Sequence, residues 1–190
     1  MVGIIQTLTA TPGQVALATR LLRAVDEDKP NDFGRHLRRL NIDNQVAHAL
    51  VGVLLVRTAG EGKVDIMKQI TDRFDGRGLS STFFETSLIR ASINGKKEAI
   101  EFLLSPEVNG PPNQMRLEPE LLAVAAEQAR LHFHPEIEKL FIGIKKDTEK
   151  KQKAYVATLD SEGKRTWLIL QSLERKEAQA SLRLALSVQN

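Results

Sequence analysis

Cysteine is absent from the 190 residues. A disulfide framework, a cysteine-ligated zinc site and thiol catalysis are therefore all excluded. Aromatic residues are scarce at 5%, so the interior is expected to be built from Leu, Ile, Val and Ala. That mixture suits helices packed at close range better than a β-sandwich. No run approaches the ~18 consecutive apolar residues of a membrane span. Met1 to Leu8 also lacks the basic start and longer apolar stretch of a secretion signal. The expectation is a cytoplasmic protein without a membrane span, working in its own cytosol or in that of a host cell into which it is translocated. Neither sign of charge dominates, with 27 Lys and Arg against 24 acids. The surplus is interleaved with acids, as in Glu136-Ile137-Glu138-Lys139, which reads as a solvated surface.

What is present is ordinary globular composition, 42% apolar and 27% charged. The chain is long enough for one domain with a substantial core and short for two. A recurrence near 33 residues organises it. Thr86 to Leu104 reads as two short helices meeting at Asn94-Gly95, with Leu88 and Ala91 inward on the first and Ala99, Ile100, Leu103 and Leu104 on the second. Thirty-three positions back, Leu55, Thr58, Gly62, Met67 and Ile70 answer Leu88, Ala91, Gly95, Ile100 and Leu103. A further 33 back stand Leu22, Val25, Lys29, Phe33 and Leu37, answering Leu88, Ala91, Gly95, Ala99 and Leu103. Stepping forward 34 gives Leu122, Ala125 and Ala129 for Leu88, Ala91 and Gly95, with Ile137 and Leu140 displaced by three more residues in the turn Leu131 to Pro135. Helix pairs of this size bury one face only against neighbours, so several stacked units are needed to close a core.

Thr86-Ser87-Leu88-Ile89-Arg90-Ala91, followed by Asn94-Gly95 and Glu98 to Leu104, resembles the ankyrin repeat, whose unit opens Thr-Pro-Leu-His-x-Ala. The resemblance is specific for this unit, fair for Leu54 to Ile70 and weak elsewhere. Proline and histidine of the opening are missing in every unit, so the hydrogen bonds that tie family repeats together are absent or replaced. The resemblance implies an all-α fold: an α-solenoid of four to five ankyrin-like helix-turn-helix repeats with a C-terminal capping helix. The units fall near 14–45, 46–79, 80–113 and 114–147, a fifth can be laid over 150–173, and 174–188 is the cap. The alternative for that last helix is a partner-binding or dimerising element. The proline-rich connector from Ser105 to Glu120 is either a family finger or a plain loop.

Catalytic groups are sought in vain. His132 and His134 stand two apart beside Pro135, and a turn is the better reading than a metal site. Asp75-Gly76-Arg77-Gly78 lacks the ending of a P-loop and reads as a connector. No nucleophile motif is present, so no catalytic residue, metal or cofactor is assigned and the chain is expected not to be an enzyme. The resemblance implies a protein–protein interaction module (adaptor, inhibitor or effector) that binds a partner through the concave face of its first helices. Candidate contacts are Arg57, Glu61, Arg90, Ile93, Asn94, Val124, Glu127 and Gln128. The alternative is a nucleic-acid-associated protein using Lys145 to Lys153, a run of five Lys and two acids with neither Arg nor aromatic.

Overall fold

The computed structural model describes residues 11–41, 45–74, 81–105, 108, 119–163 and 165, apart from the side chains of 151 and 152. Among them all regular structure is helical. The helices are α1 (Pro12–Asp26), α2 (Pro30–Leu37), α3 (Gln45–Glu61), α4 (Val64–Arg73), α5 (Ser81–Ile93), α6 (Lys97–Leu104), α7 (Pro119–Leu131) and α8 (Pro135–Thr158). They form four consecutive pairs. The first helices α1, α3, α5 and α7 pack side by side in chain order, and α2, α4 and α6 form a second layer against them. α8 packs chiefly on α7.

The chain enters α1 through a capping box. Thr11 Oγ1 accepts from the Gln14 amide at 3.3 Å, while Gln14 Oε1 accepts from the Thr11 amide at 2.8 Å. Pro12 follows at the first helical position, where a missing N–H is harmless.

All four pairs turn the same corner. The only positive-φ residues described are Asp28, Gly62, Gly95 and Phe133, one in each turn. The amide after each returns to a carbonyl in the last turn of the first helix: Lys29 to Ala24, Lys63 to Thr58 and Lys96 to Ala91 at 2.9 Å, and His134 to Ala129 at 2.8 Å. The positive-φ residue itself donates to the next carbonyl along, Val25, Ala59, Ser92 or Arg130. This is the Schellman closure, which satisfies two carbonyls that a helix end would otherwise strand. The carbonyls of Lys29, Lys63, Lys96 and His134 then accept the first bonds of the second helices.

These turns give the register, and it differs from the sequence reading. From Asp28, Gly62, Gly95 and Phe133 the spacings are 34, 33 and 38 residues. Leu21 and Ala24, not Leu22 and Val25, therefore match Leu55 and Thr58. In the fourth pair Ala126 and Ala129, not Leu122 and Ala125, match Leu88 and Ala91. The extra residues of that pair lie before α7, because its turn is the same length as the others. Small buried residues recur at Ala24, Thr58, Ala91 and Ala129. The first helices are also longer than the short helices the sequence suggests, reaching 17 residues in α3. Thr86 sits inside α5 rather than at its start, its hydroxyl donating to the Thr82 carbonyl at 2.7 Å.

The core runs through all four pairs. Leu21, Val25, Leu54, Leu55, Ile66, Met67, Ile70, Leu88, Ile100, Leu103 and Leu122 are buried within it. Phenylalanine contributes more than its scarcity suggests, for Phe33, Phe74, Phe84, Phe102 and Phe141 are buried as well. α3 and α5 meet closely at Gly52, where a Cβ would stand 2.2–2.4 Å from ring atoms of Phe83.

α8 continues without a break through 147–150, where the sequence reading divides the fourth unit from a fifth. Residues 166–190, which carry the remainder of that fifth unit and the cap at 174–188, lie outside the described residues. So do residues 75–80 of the Gly-rich segment and 109–118 of the connector.

Gly95 carries two demands at once. Its φ is +68°, and a Cβ there would stand 2.5–2.9 Å from ring atoms of His134. Gly95→Ala is expected to lose about 1–2 kcal/mol from the backbone alone, with a further loss as His134 is displaced. Gly143→Ala, in α8 with nothing within 4 Å, is expected to gain about 0.5–1 kcal/mol. Urea denaturation midpoints of the two variants should move in opposite directions.

Candidate partner-binding surface

The turn register aligns side chains that the 33-residue template left scattered. Arg23, Arg57, Arg90 and Gln128 each immediately precede the small residue of their turn. Thr19, Val53, Thr86 and Val124 lie one helical turn earlier. Asp26, Gly60, Ile93 and Leu131 lie near the helix ends. These rows are spaced i, i+4, i+7 along each first helix and so share one face of it.

Of the eight candidate contacts, Arg57, Glu61, Arg90, Asn94 and Glu127 are exposed, whereas Ile93, Val124 and Gln128 are partly buried. Several are engaged in holding the fold. Arg57 donates to Glu61 Oε1 at 2.9 Å and also pairs with Asp26 of the preceding unit. Glu61 further meets Lys63 Nζ at 2.6 Å. Asn94 Nδ2 donates to the Gly60 carbonyl at 2.8 Å. Glu127 forms a two-point pair with Arg130 at 2.6 and 2.8 Å. Arg90 has no acidic partner among the described residues.

The Asn94 bond belongs to a series. Lys63 Nζ donates to the Val25 carbonyl, Asn94 to that of Gly60, and His134 Nε2 to that of Ile93 at 3.1 Å. Each acceptor is a last-turn carbonyl of the preceding first helix, where the helix dipole presents negative charge. A carbonyl can only accept, so the His134 ring carries its proton on Nε2. His132 is exposed, and the bond to the Ile93 carbonyl comes from His134. Among the described residues no three His, Asp or Glu side chains are placed to hold a metal ion.

The local electrostatics follow from these links. Hydrogen bonds from Lys29, then Arg23, hold the exposed Glu27 carboxyl down at about 2. Burial pushes the Glu61 carboxyl up, but bonds from Lys63 and Arg57 outweigh it and leave it lowered. Glu61 therefore stabilises the fold above its unfolded pKa and ceases to do so as pH falls through its folded value. Glu85 is the opposite case. It is half-buried in α5, and burial raises its carboxyl.

Sequence reasoning missed Arg23, Val53 and Leu131, which need the turn register to be seen. It also missed Phe133, which is 90% exposed with φ +62°. A bulky residue in that conformation is strained, and the place-holders in the other turns are Asp or Gly.

No family model matches the chain, nor does any curated protein or solved structure compared with it. No helix among the described residues is long and apolar enough to cross a membrane.

Glu85 gives a pH test. Its raised folded pKa means that ionisation costs stability, and the cost is complete above that pKa and absent below the unfolded one. Glu85→Gln should raise the melting temperature at pH 7, and the difference from wild type should shrink towards zero as the pH falls below 4.5.

Proposed function

We propose that the chain is a non-catalytic binding protein: an ankyrin-like α-solenoid that captures a partner protein through the face of its first helices, the concave face in that architecture. It acts as an adaptor, inhibitor or effector in a cytosol. The shared turn geometry of four helix pairs in register supports the solenoid reading. The longer first helices and the internal position of Thr86 make it a divergent form of the ankyrin unit.

The observation that carries the functional reading is the composition of the exposed first-helix face. α3 is apolar almost all round, and a helix of that kind is ordinarily buried. Yet Val53 is 55% exposed, and Val15 on α1 and Leu131 on α7 are each about half exposed. These side chains share the first-helix face with Arg90, which has no acidic partner among the described residues. Apolar area flanked by an arginine is the composition of a protein-binding patch rather than of a solvated surface.

Arg90 and Arg57 are not equivalent contacts. Reversing Arg57 would place a third carboxylate beside Asp26 and Glu61, so lost binding could not be separated from lost stability. Arg90→Glu and Val53→Asp avoid this. Immobilised wild-type protein should retain a partner from a native extract, identified by mass spectrometry. Each of the two variants should lose that partner with no fall in melting temperature. Retention by both would remove the first-helix face as the site.

A further inference from the structure

α8 carries a feature that its sequence conceals. Lys139, Lys146, Lys150 and Lys153 are exposed, and at about 100° per residue they fall within an arc of about 60°. They make a straight stripe about 21 Å long at a rise of 1.5 Å per residue. The stripe lies opposite Ile137 and Phe141, the residues with which α8 faces the core. The acids of the helix, Glu136, Glu138, Asp147 and Glu149, fall to either side, about 70–90° round from its centre. Among the described residues none of the four lysines has a carboxylate partner, and the one pair on this segment joins Lys145 to Glu149 at 4.0 Å. The short side chain of Gly143 lies between the first two lysines, and Ala154 and Ala157 follow the last. Beyond Phe141 no described residue of the helix is fully buried.

We propose that this stripe binds the phosphate backbone of a double-stranded nucleic acid. Four unpaired cations in a line, on a helix that projects its outer face clear of the core, complement a row of phosphates. Lysine serves as a point charge to phosphate without needing the bidentate geometry of arginine. The stripe contains no aromatic side chain, so base stacking on single strands is not its mode. A protein partner is the poorer fit, because lysine is depleted at protein interfaces and the stripe offers only Ile142 at its margin as an apolar anchor. A membrane-inserting helix needs a continuous free apolar face, whereas Ile137 and Phe141 of this one are buried in the core. Binding is therefore expected to be independent of base sequence and strongly dependent on salt.

The test is fluorescence anisotropy with a labelled DNA duplex of about 20 base pairs, repeated with vesicles containing about one-third phosphatidylserine. Four phosphate contacts predict a slope of log K against log salt of about −3.6, hence roughly hundredfold weaker binding between about 50 and 200 mM salt. Lys150→Gln should reduce the slope by about 0.9. The quadruple Gln variant at 139, 146, 150 and 153 should lose binding while retaining its circular dichroism and melting temperature. Arg90→Glu should bind the duplex as wild type does, which separates this site from the first-helix face. Absence of duplex binding at the lower salt, undiminished binding by the quadruple variant, or lysine-dependent binding to the vesicles without binding to the duplex would each overturn the proposal.

Discussion

The structure depends on how the C-terminal carbonyls of its first helices are satisfied. A helix leaves four carbonyls without internal partners. The Schellman turn takes two of them, and a side chain from the next pair bonds to a last-turn carbonyl as well, a third one in α3 and α5 and the turn's own Val25 in α1. Lys63, Asn94 and His134 do this for three successive neighbours, with an ammonium, an amide and an imidazole respectively. Only a donor of suitable reach is required. Three chemistries can therefore serve one geometry, and the turns repeat far more faithfully than the residues in them.

The same links limit where a partner can be engaged. Asn94, Glu61 and Arg57 are exposed, but each is held by a bond that ties one helix pair to itself or to the next. Substituting them disturbs the fold and the surface together. Arg90 and Val53 stand on α5 and α3 and make no such bond among the described residues, although the Arg90 stem lies against Gly60. Phe133 departs from the pattern, since it occupies the strained corner that Gly62 and Gly95 take without cost. It leaves its ring in solvent while His134, the next residue, anchors the turn.

The two proposed surfaces arise from different levels of organisation. The first-helix face exists only because four helices lie side by side, each adding one position to every row. The lysine stripe belongs to one helix and needs the fold merely to decide which side of α8 is outward. Substitutions in the one should leave the other intact.

Helical class, pairing and approximate period were legible in the sequence because they are set by local rules. Apolar residues recur at helical spacing, and Asn94-Gly95 and Glu61-Gly62 mark chain reversals. Register was not legible. Leu21 and Leu22 are equally apolar, and Ala125 and Ala129 are the same residue type, so only the turn hydrogen bonds distinguish them. The turn at Leu131 to Pro135 was legible, but Phe133 gave no signal of the positive φ it adopts, since nothing in its chemistry favours it. Lys139 lies outside the basic run and joins the stripe only when the helix is built. By itself, then, the sequence determined that this chain forms paired helices around an aliphatic core, because periodicity and turn propensity are properties of neighbouring residues. The tertiary structure decided which residues are equivalent, which charges are already paired and which face outward, because those depend on contacts between residues some 30 to 40 positions apart.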